Sequence, residues 1–113
     1  MTLLQQAQQG LPIEFADTMA VIGENYHYQP TAFSNGLTEA VQNAAGQNEG
    51  SCKIFAFAKL HDLSVEQTLH LFGGYYRDEV LSHPDGNDHA NIRRFMRDGW
   101  NGIQFSGEAL LPK

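Results

Sequence analysis

The longest uninterrupted apolar run in this chain is only five residues, Ile54 to Ala58. A membrane-spanning helix needs about 20 consecutive apolar residues, so no segment is predicted to cross a bilayer. The chain has 113 residues, of which 42% are apolar and 11% aromatic. This length and composition predict one folded domain over residues 1–113, with a real hydrophobic core rather than a disordered chain.

Charge is divided unevenly along the chain. Residues 1–52 contain no Lys or Arg, and the seven cations all follow from Lys53 onward, giving a formal net charge of −6. Because phosphate contacts dominate affinity for nucleic acids, we do not expect this acidic chain to bind nucleic acid. The single cysteine, Cys52, excludes an intrachain disulfide and indicates a reducing compartment. The N-terminus MTLLQQAQQG has neither the basic nor the apolar region of a secretory signal peptide.

The first half of the chain alternates helical and extended patterns. A short helix is predicted around Leu3 to Ala7, and a second over residues 12–24, where apolar side chains share one face. Aromatic alternation over residues 26–33 favours an extended segment. Asn35-Gly36 is a turn signal. It predicts a hairpin that returns over residues 37–42, with a short helix there as the alternative.

The second half is predicted to be mainly helical. Ser51 is expected to cap a helix over residues 52–61, and the capping-box pattern Ser64 to Gln67 starts the next helix. Gly73-Gly74 interrupts that helix, either as a break or to allow close packing. A glycine in a helix interior costs roughly 1 kcal/mol relative to alanine.

The C-terminal third begins with a predicted turn at residues 84–86. Asn87 or Asp88 is expected to cap a last helix, on which residues 92, 95, 96 and 99 share a face and Arg94 pairs with Asp98. A short strand is predicted over residues 103–105, followed by a frayed tail. The fold class predicted is therefore α+β and mainly α, with about four to five helices and a small antiparallel sheet of two or three strands.

Several strings in the sequence are more specific than a generic fold requires. They are Asn48-Glu49-Gly50-Ser51-Cys52-Lys53, Phe72-Gly73-Gly74-Tyr75-Tyr76-Arg77, His83-Pro84-Asp85-Gly86-Asn87-Asp88-His89-Ala90-Asn91-Ile92-Arg93 and Gly99-Trp100, preceded by Pro30-Thr31-Ala32-Phe33 and Asn35-Gly36. With these strings the chain resembles the HopJ family of bacterial type III effector-like proteins, over about residues 15–105. The resemblance implies a small bacterial protein of unknown biochemical activity.

The family name reflects secretion into plant hosts by some pathogens, so the resemblance allows type III export. Effector export signals are extended, flexible and often rich in serine. Only about ten residues, with one Thr and no Ser, precede Leu11 here. The short N-terminus therefore favours a location in the bacterial cytoplasm.

The strongest candidate for a reactive group is Cys52. A helix start and the neighbouring Lys53 would both favour its thiolate. The order Cys52, His89, Asn91 is that of one class of cysteine hydrolases, so a thiol-dependent enzyme with Cys52 as nucleophile and His89 as base is one alternative. The other interpretation of Cys52 is a small buried hydrophobic residue that seats its helix.

The leading functional hypothesis is a non-enzymatic domain that binds a protein or a small ligand through its motif-rich surface. The candidate ligand-binding residues are Asn48, Glu49, Ser51, Lys53, Tyr75, Arg77, Asn91, Arg93 and Trp100. Ordinary helix caps and a solvated charged face paired within the chain explain the same residues. No cofactor, nucleic acid or membrane is expected as a partner, and the chain is expected to be a monomer or a weak homo-oligomer.

A second alternative is a metal-binding domain through His83 and His89. Asp85 and Asp88 crowd the same loop, and such a set suits a hard or borderline cation. The spacing matches no established metal-binding motif. The two aspartates are equally well explained as turn and cap residues.

Overall fold

A computed structural model describes residues 2–113 and confirms the predicted α+β, mainly helical class. Its helical elements are α1 (Leu3–Gln8), α2 (Phe15–Asn25), α3 (Glu49–Leu60), α4 (Val65–His70), a π-helical segment (Tyr75–Val80), α5 (Ala90–Asp98) and a 3-10 turn (Gly99–Gly102). Its strands are β1 (Tyr26–Tyr28), β2 (Phe33–Asn35), β3 (Val41–Asn43), β4 (Ile103–Phe105) and β5 (Leu110–Pro112). Within residues 2–113, no helix has the length and apolar character needed to cross a membrane.

The strands form two small antiparallel sheets, ordered β3-β2-β4 and β1-β5. The predicted hairpin is confirmed, since Asn35 of β2 lies opposite Val41 of β3. The helix alternative for residues 37–42 is wrong. The connection is also longer than a two-residue turn and covers residues 36–40. Asn35 stays within the strand because its side chain is fully buried and bonded to Asn91.

The C-terminal tail is not frayed, contrary to the prediction. Residues 110–112 form β5, and Leu110 lies opposite Tyr28 of β1. Ala109 and Leu110 are buried in the core. Burying these apolar side chains and pairing the backbone of β1 both favour an ordered tail.

The hydrophobic core is centred on α3, which carries the five-residue apolar run. All five residues of that run, Ile54 to Ala58, are buried. The ring of Phe55 lies within 4.8–6.4 Å, centroid to centroid, of four aromatic rings contributed by distant parts of the chain. They belong to Phe33, Phe72, Phe95 and Trp100. Leu60, at the end of α3, is 54% exposed.

Helix starts follow local sequence signals at one site and tertiary contacts at another. The capping box Ser64 to Gln67 is confirmed, with both reciprocal hydrogen bonds formed. By contrast, α2 begins at Phe15 rather than at residue 12. The carbonyl of Ile13 accepts a 2.6 Å hydrogen bond from Arg77, which holds this segment outside the helix.

Two predicted caps are wrong in a related way. Helix α3 begins at Glu49 after Asn48, so Ser51 lies inside the helix and does not cap it. Helix α5 begins after His89 rather than after Asn87 or Asp88. Both actual N-cap residues adopt the left-handed conformation, with φ of 51° and 50°. Asp88 cannot serve as the cap because its carboxylate is bound by Arg93 at 2.7 Å.

The end of α5 is fixed by a different ion pair from the one predicted. Asp98 pairs with Arg97 at 2.8 Å and accepts a hydrogen bond from the amide of Leu37, whereas Arg94 donates to the carbonyl of Thr38. The hydrogen bonds from Arg97 and Leu37 lower the pKa of Asp98 to about 2. Met96, expected on the buried face, is 42% exposed.

Gly73 both interrupts the helix and allows close packing, the two roles predicted for the Gly73-Gly74 pair. Helix α4 ends at His70, and Gly73 has a φ of +61°, which L side chains rarely adopt. A Cβ atom on Gly73 would lie 2.5 Å from the backbone nitrogen of Phe15. The glycine therefore ends one helical segment and lets the start of α2 approach its backbone.

We expect Gly73→Ala to lower the free energy of unfolding by about 2 kcal/mol or more, because it combines a positive φ with a backbone clash. The matched control is Gly74→Ala, at a helical φ of −61°, where the added Cβ meets only the end of the Asp78 side chain, at 3.2 Å. The control should be within about 0.5 kcal/mol of wild type. Urea denaturation monitored by circular dichroism measures both, and equal effects would contradict this account of Gly73.

Candidate functional site

A pocket of about 340 Å³ lies where the starts of α3 and α5 meet, and we call it the two-helix pocket. It is lined by Phe15, Asn48, Gly50, Ser51, Phe72, Tyr75, His89, Ala90, Asn91 and Ile92. Four of the nine predicted ligand-binding residues line it, together with the predicted base His89. Pockets for small molecules are commonly of about this size, with aromatic walls and a few polar groups.

A larger groove of about 610 Å³ runs along another face of α5. Its charged side chains include Arg93 and Arg97, which are already paired with Asp88 and Asp98. Of the predicted ligand-binding residues, only Arg93 lines it. The two-helix pocket is therefore the better candidate for a functional site, despite its smaller volume.

Both helices begin at the pocket without a side-chain cap. In the described part of the chain, neither Asn48 nor His89 makes a side-chain hydrogen bond to its own helix start. The first N–H groups of an α-helix have no partner inside the helix, and the aligned peptide dipoles give that end a partial positive charge. The two-helix pocket is therefore suited to a ligand group whose oxygen atoms accept hydrogen bonds or carry negative charge.

A network of four asparagines fixes the relative position of the two helix starts. Asn43 Oδ1 accepts hydrogen bonds from Asn48 at 2.7 Å and from Asn91 at 2.9 Å. Asn91 Oδ1 in turn accepts from Asn35 at 3.1 Å and from Asn43 at 3.2 Å. Asn35, Asn43 and Asn91 are all buried. The network thus joins the β2–β3 hairpin to both α3 and α5.

Sequence motifs do not reveal the roles of Asn35 and Asn43. The Asn35-Gly36 pair predicts a turn, whereas Asn35 lies in β2, and no motif points to Asn43. A usable signal was present, since asparagine is depleted in strands and these two residues lie on paired strands. A buried asparagine in a strand needs hydrogen-bond partners, which predicts a polar network behind the sheet.

The other predicted ligand-binding residues do not line the two-helix pocket, and several are engaged within the protein. Lys53 Nζ lies 4.7 Å from the centre of the Tyr28 ring. Arg77 donates to the Ile13 carbonyl and pairs with Glu14, so it is engaged by the acidic N-terminal half of the chain. Arg93 donates hydrogen bonds to the backbone carbonyls of His83 and Asp88 and to the Asp88 carboxylate, and so holds the 83–88 loop.

Trp100 and Glu49 complete that group. The indole of Trp100 donates to the carbonyl of Leu63 at 2.9 Å and packs edge-on against Phe95. Glu49 is the first residue of α3. A carboxylate at this position interacts favourably with the partial positive charge at the start of the helix. Local stabilisation accounts for both residues.

Cys52 and His89, the predicted catalytic pair, have separate surroundings. Cys52 is 1% exposed, and its thiol contacts the carbonyl of Thr31 at 3.5 Å. Burial raises the pKa of the Cys52 thiol, which disfavours the thiolate. His89 bonds instead to Glu79 at 2.9 Å. This environment supports the interpretation of Cys52 as a small buried hydrophobic residue.

The histidines of the 83–89 loop contact Glu79 separately. The ring of His83 meets the backbone carbonyl of Glu79 at 3.1 Å, whereas the ring of His89 meets its carboxylate. Asp85 lies in the predicted turn, which is closed by a hydrogen bond from the Gly86 amide to the His83 carbonyl. Among residues 2–113, the group whose potential ligand atoms lie close together is Glu79, Asp88 and His89.

Comparison with known proteins agrees with this architecture. A model of the family described as HopJ type III effector protein matches residues 2–110. The chain belongs to the HopJ family. It is also similar to a crystal structure of the unknown-function protein VPA0580, with 52% identity and a TM-score of 0.87, over 98% of this chain and 88% of that one. No curated protein matches the chain. The predicted HopJ resemblance is thus confirmed.

We expect Asn91→Ala to destabilise this HopJ-family protein by about 2–4 kcal/mol, because it removes three buried side-chain hydrogen bonds, two that Asn91 accepts from Asn35 and Asn43 and one that it donates to Asn43. Asn87→Ala, in the exposed loop before α5, is the matched control and should change stability by less than about 0.5 kcal/mol. Urea titrations give both values. A neutral Asn91→Ala would show that the network does not stabilise the fold.

We expect the Cys52 thiol of the native HopJ domain to react slowly with a disulfide reagent at neutral pH, because it is buried and its pKa is raised. Unfolding in denaturant should restore the reactivity of an ordinary cysteine. Absorbance of the released thiol measures both rates. Rapid reaction of the native protein would favour the thiol-enzyme alternative instead.

Proposed function

We propose that this HopJ domain is a non-enzymatic binding protein for a small molecule that carries a carboxylate or phosphate group, held in the two-helix pocket. The observation that carries the proposal is the convergence of two uncapped helix starts, those of α3 and α5, on one pocket. A single reduced thiol is normal in a reducing compartment, and we propose the bacterial cytoplasm as the site of action.

The polar end of the ligand is recognised by backbone amides. Gly50 and Ser51 supply N–H groups from the first turn of α3, and Ala90 to Ile92 supply them from the first turn of α5. Backbone amides at a helix start bind carboxylate and phosphate oxygens without needing a cationic side chain. The asparagine network keeps the two sets of amides in a fixed relation, which lowers the entropic cost of binding.

The apolar end of the ligand is recognised by an aromatic wall. Phe15 packs edge-on against Tyr75 at 5.0 Å between ring centroids, and Tyr75 packs against His89 at 5.3 Å. Tyr75 is 41% exposed, so its ring is available to stack on a bound group. A ligand with a planar or aliphatic portion gains apolar contact on this wall.

Neighbouring charge limits the kind of anion. Glu49 lies in the first turn of α3, and Glu79 is bonded to His89 at the pocket. The chain also lacks the spaced glycines and Lys-Ser/Thr of a nucleotide-binding loop. Both features favour a ligand with one acidic group over a polyphosphate.

The proposal is tested by titrating ¹⁵N-labelled protein with benzoate and with phenyl phosphate and following its amide resonances. Saturable shifts are expected at residues 49–51 and 90–92 for at least one probe. Absence of saturable shifts at both helix starts up to about 10 mM probe would overturn the proposal, since affinity would then be weaker than the millimolar range.

A matched pair of variants separates ligand charge from fold stability. Ser51→Asp places a carboxylate in the first turn of α3, which suits the helix dipole but repels an anionic ligand. Ser51→Asn is neutral and of the same shape. We expect Ser51→Asp to weaken probe binding by roughly tenfold relative to Ser51→Asn, equivalent to about 1.4 kcal/mol, and equal affinities would contradict anion recognition.

A further inference from the structure

Three potential metal ligands converge at the edge of the two-helix pocket. They come from different elements: Glu79 from the π-helical segment, and Asp88 and His89 from the loop that leads into α5. One ligand atom from each residue lies within 4.8 Å of the other two. The side chain of His89 is 25% exposed, while the two carboxylates are more than half exposed.

We propose that Glu79, Asp88 and His89 form a binding site for a divalent transition-metal ion such as Zn²⁺. One imidazole and two carboxylates form a nitrogen and oxygen donor set that suits zinc and its neighbours in the first transition row. The site replaces the predicted pairing of His83 with His89. His83 meets only the backbone carbonyl of Glu79, and its ring lies outside the group of convergent ligand atoms.

The distances suit a shared ion. His89 Nε2 lies 2.9 Å from Glu79 Oε1 and 4.0 Å from Asp88 Oδ2. Zinc binds nitrogen and oxygen ligands at about 2.0–2.2 Å, so two ligand atoms on one tetrahedral ion are separated by roughly 3.4 Å. The two observed distances lie on either side of this value, and all three ligand atoms lie within 4.8 Å of one another. The exposed carboxylates of Glu79 and Asp88 can rotate to complete the geometry.

Neighbouring side chains orient two of the ligands. Arg93 binds Asp88 through Oδ1 at 2.7 Å, which leaves Oδ2 as the oxygen nearer to His89. The ring of Tyr75 packs against His89 at 5.3 Å. Such outer contacts fix the orientation of metal ligands and raise affinity. Three protein ligands leave one tetrahedral position for water at the pocket.

Charge also favours a divalent cation here. Two carboxylates lie near the imidazole, and the guanidinium of Arg93 pairs with one of them, that of Asp88. The positive end of α5 opposes a cation at this position, which is why both carboxylates are needed. The direct contact between His89 Nε2 and Glu79 Oε1 competes with metal binding. A metal ion would lie between these two atoms and bind both.

The test is isothermal titration calorimetry of the full chain with Zn²⁺ alone, together with ¹⁵N spectra of the histidine rings. We expect one ion per chain and a large shift of the His89 Nε2 resonance. Glu79→Gln and His89→Ala should each weaken zinc binding roughly tenfold or more, as expected for lost ligands. Glu79→Gln keeps the side-chain shape, so it tests the site even if His89→Ala disturbs the start of α5.

Two control variants distinguish this site from ordinary surface binding. Glu66→Gln changes the other His–Glu pair, in which His70 and Glu66 lie 3.5 Å apart, and should leave zinc affinity unchanged. His83→Ala should also leave it unchanged. The proposal is overturned if zinc gives no heat and no His89 shift, if Glu79→Gln binds as wild type does, or if His83→Ala weakens binding as much as His89→Ala.

Discussion

The architecture depends on the hydrogen bonds between the carboxamide of Asn43 and those of Asn48 and Asn91. Asn43 lies on a strand, Asn48 precedes α3 and Asn91 lies in the first turn of α5. Two residues of this set, Asn43 and Asn91, are buried, so their polar groups must be satisfied within the protein. A mutual network meets that requirement and fixes the hairpin and both helices in one arrangement.

Side-chain hydrogen bonds at the two helix starts explain why backbone N–H groups remain without a side-chain cap at the two-helix pocket. Asn48 uses its side chain to bind Asn43, and His89 uses its ring to bind Glu79, so neither residue caps the helix that follows it. A helix start without a side-chain cap keeps its amides available for another acceptor. The stability of the fold and the binding capacity we propose therefore come from the same side-chain choices.

Most of the late cations serve the fold. Arg77 fastens the segment before α2, Arg93 fastens the loop before α5, and Arg97 pairs with Asp98 at the end of α5. Some of the cations in the second half of the chain therefore pair with acidic residues of the first half, as Arg77 does with Glu14. The functional groups that remain around the pocket are backbone amides, aromatic rings and one cluster of a histidine with two carboxylates.

Sequence alone determined the features that depend on neighbouring residues: the fold class, the capping box at Ser64, the break at Gly73 and the buried run of α3. It also placed Asn48, Ser51, Tyr75, His89 and Asn91 among the site candidates. Only the tertiary structure decided where α3 and α5 begin, that residues 110–112 pair with β1, and that Cys52 and His89 have separate surroundings. These features rest on partners distant in the chain, such as Asn91 with Asn43 and Arg77 with Ile13. Local propensity carries no information about such pairings. The hydrogen bonds between these distant residues stabilise the protein only after folding has brought the residues together, at the entropic cost of closing a long loop.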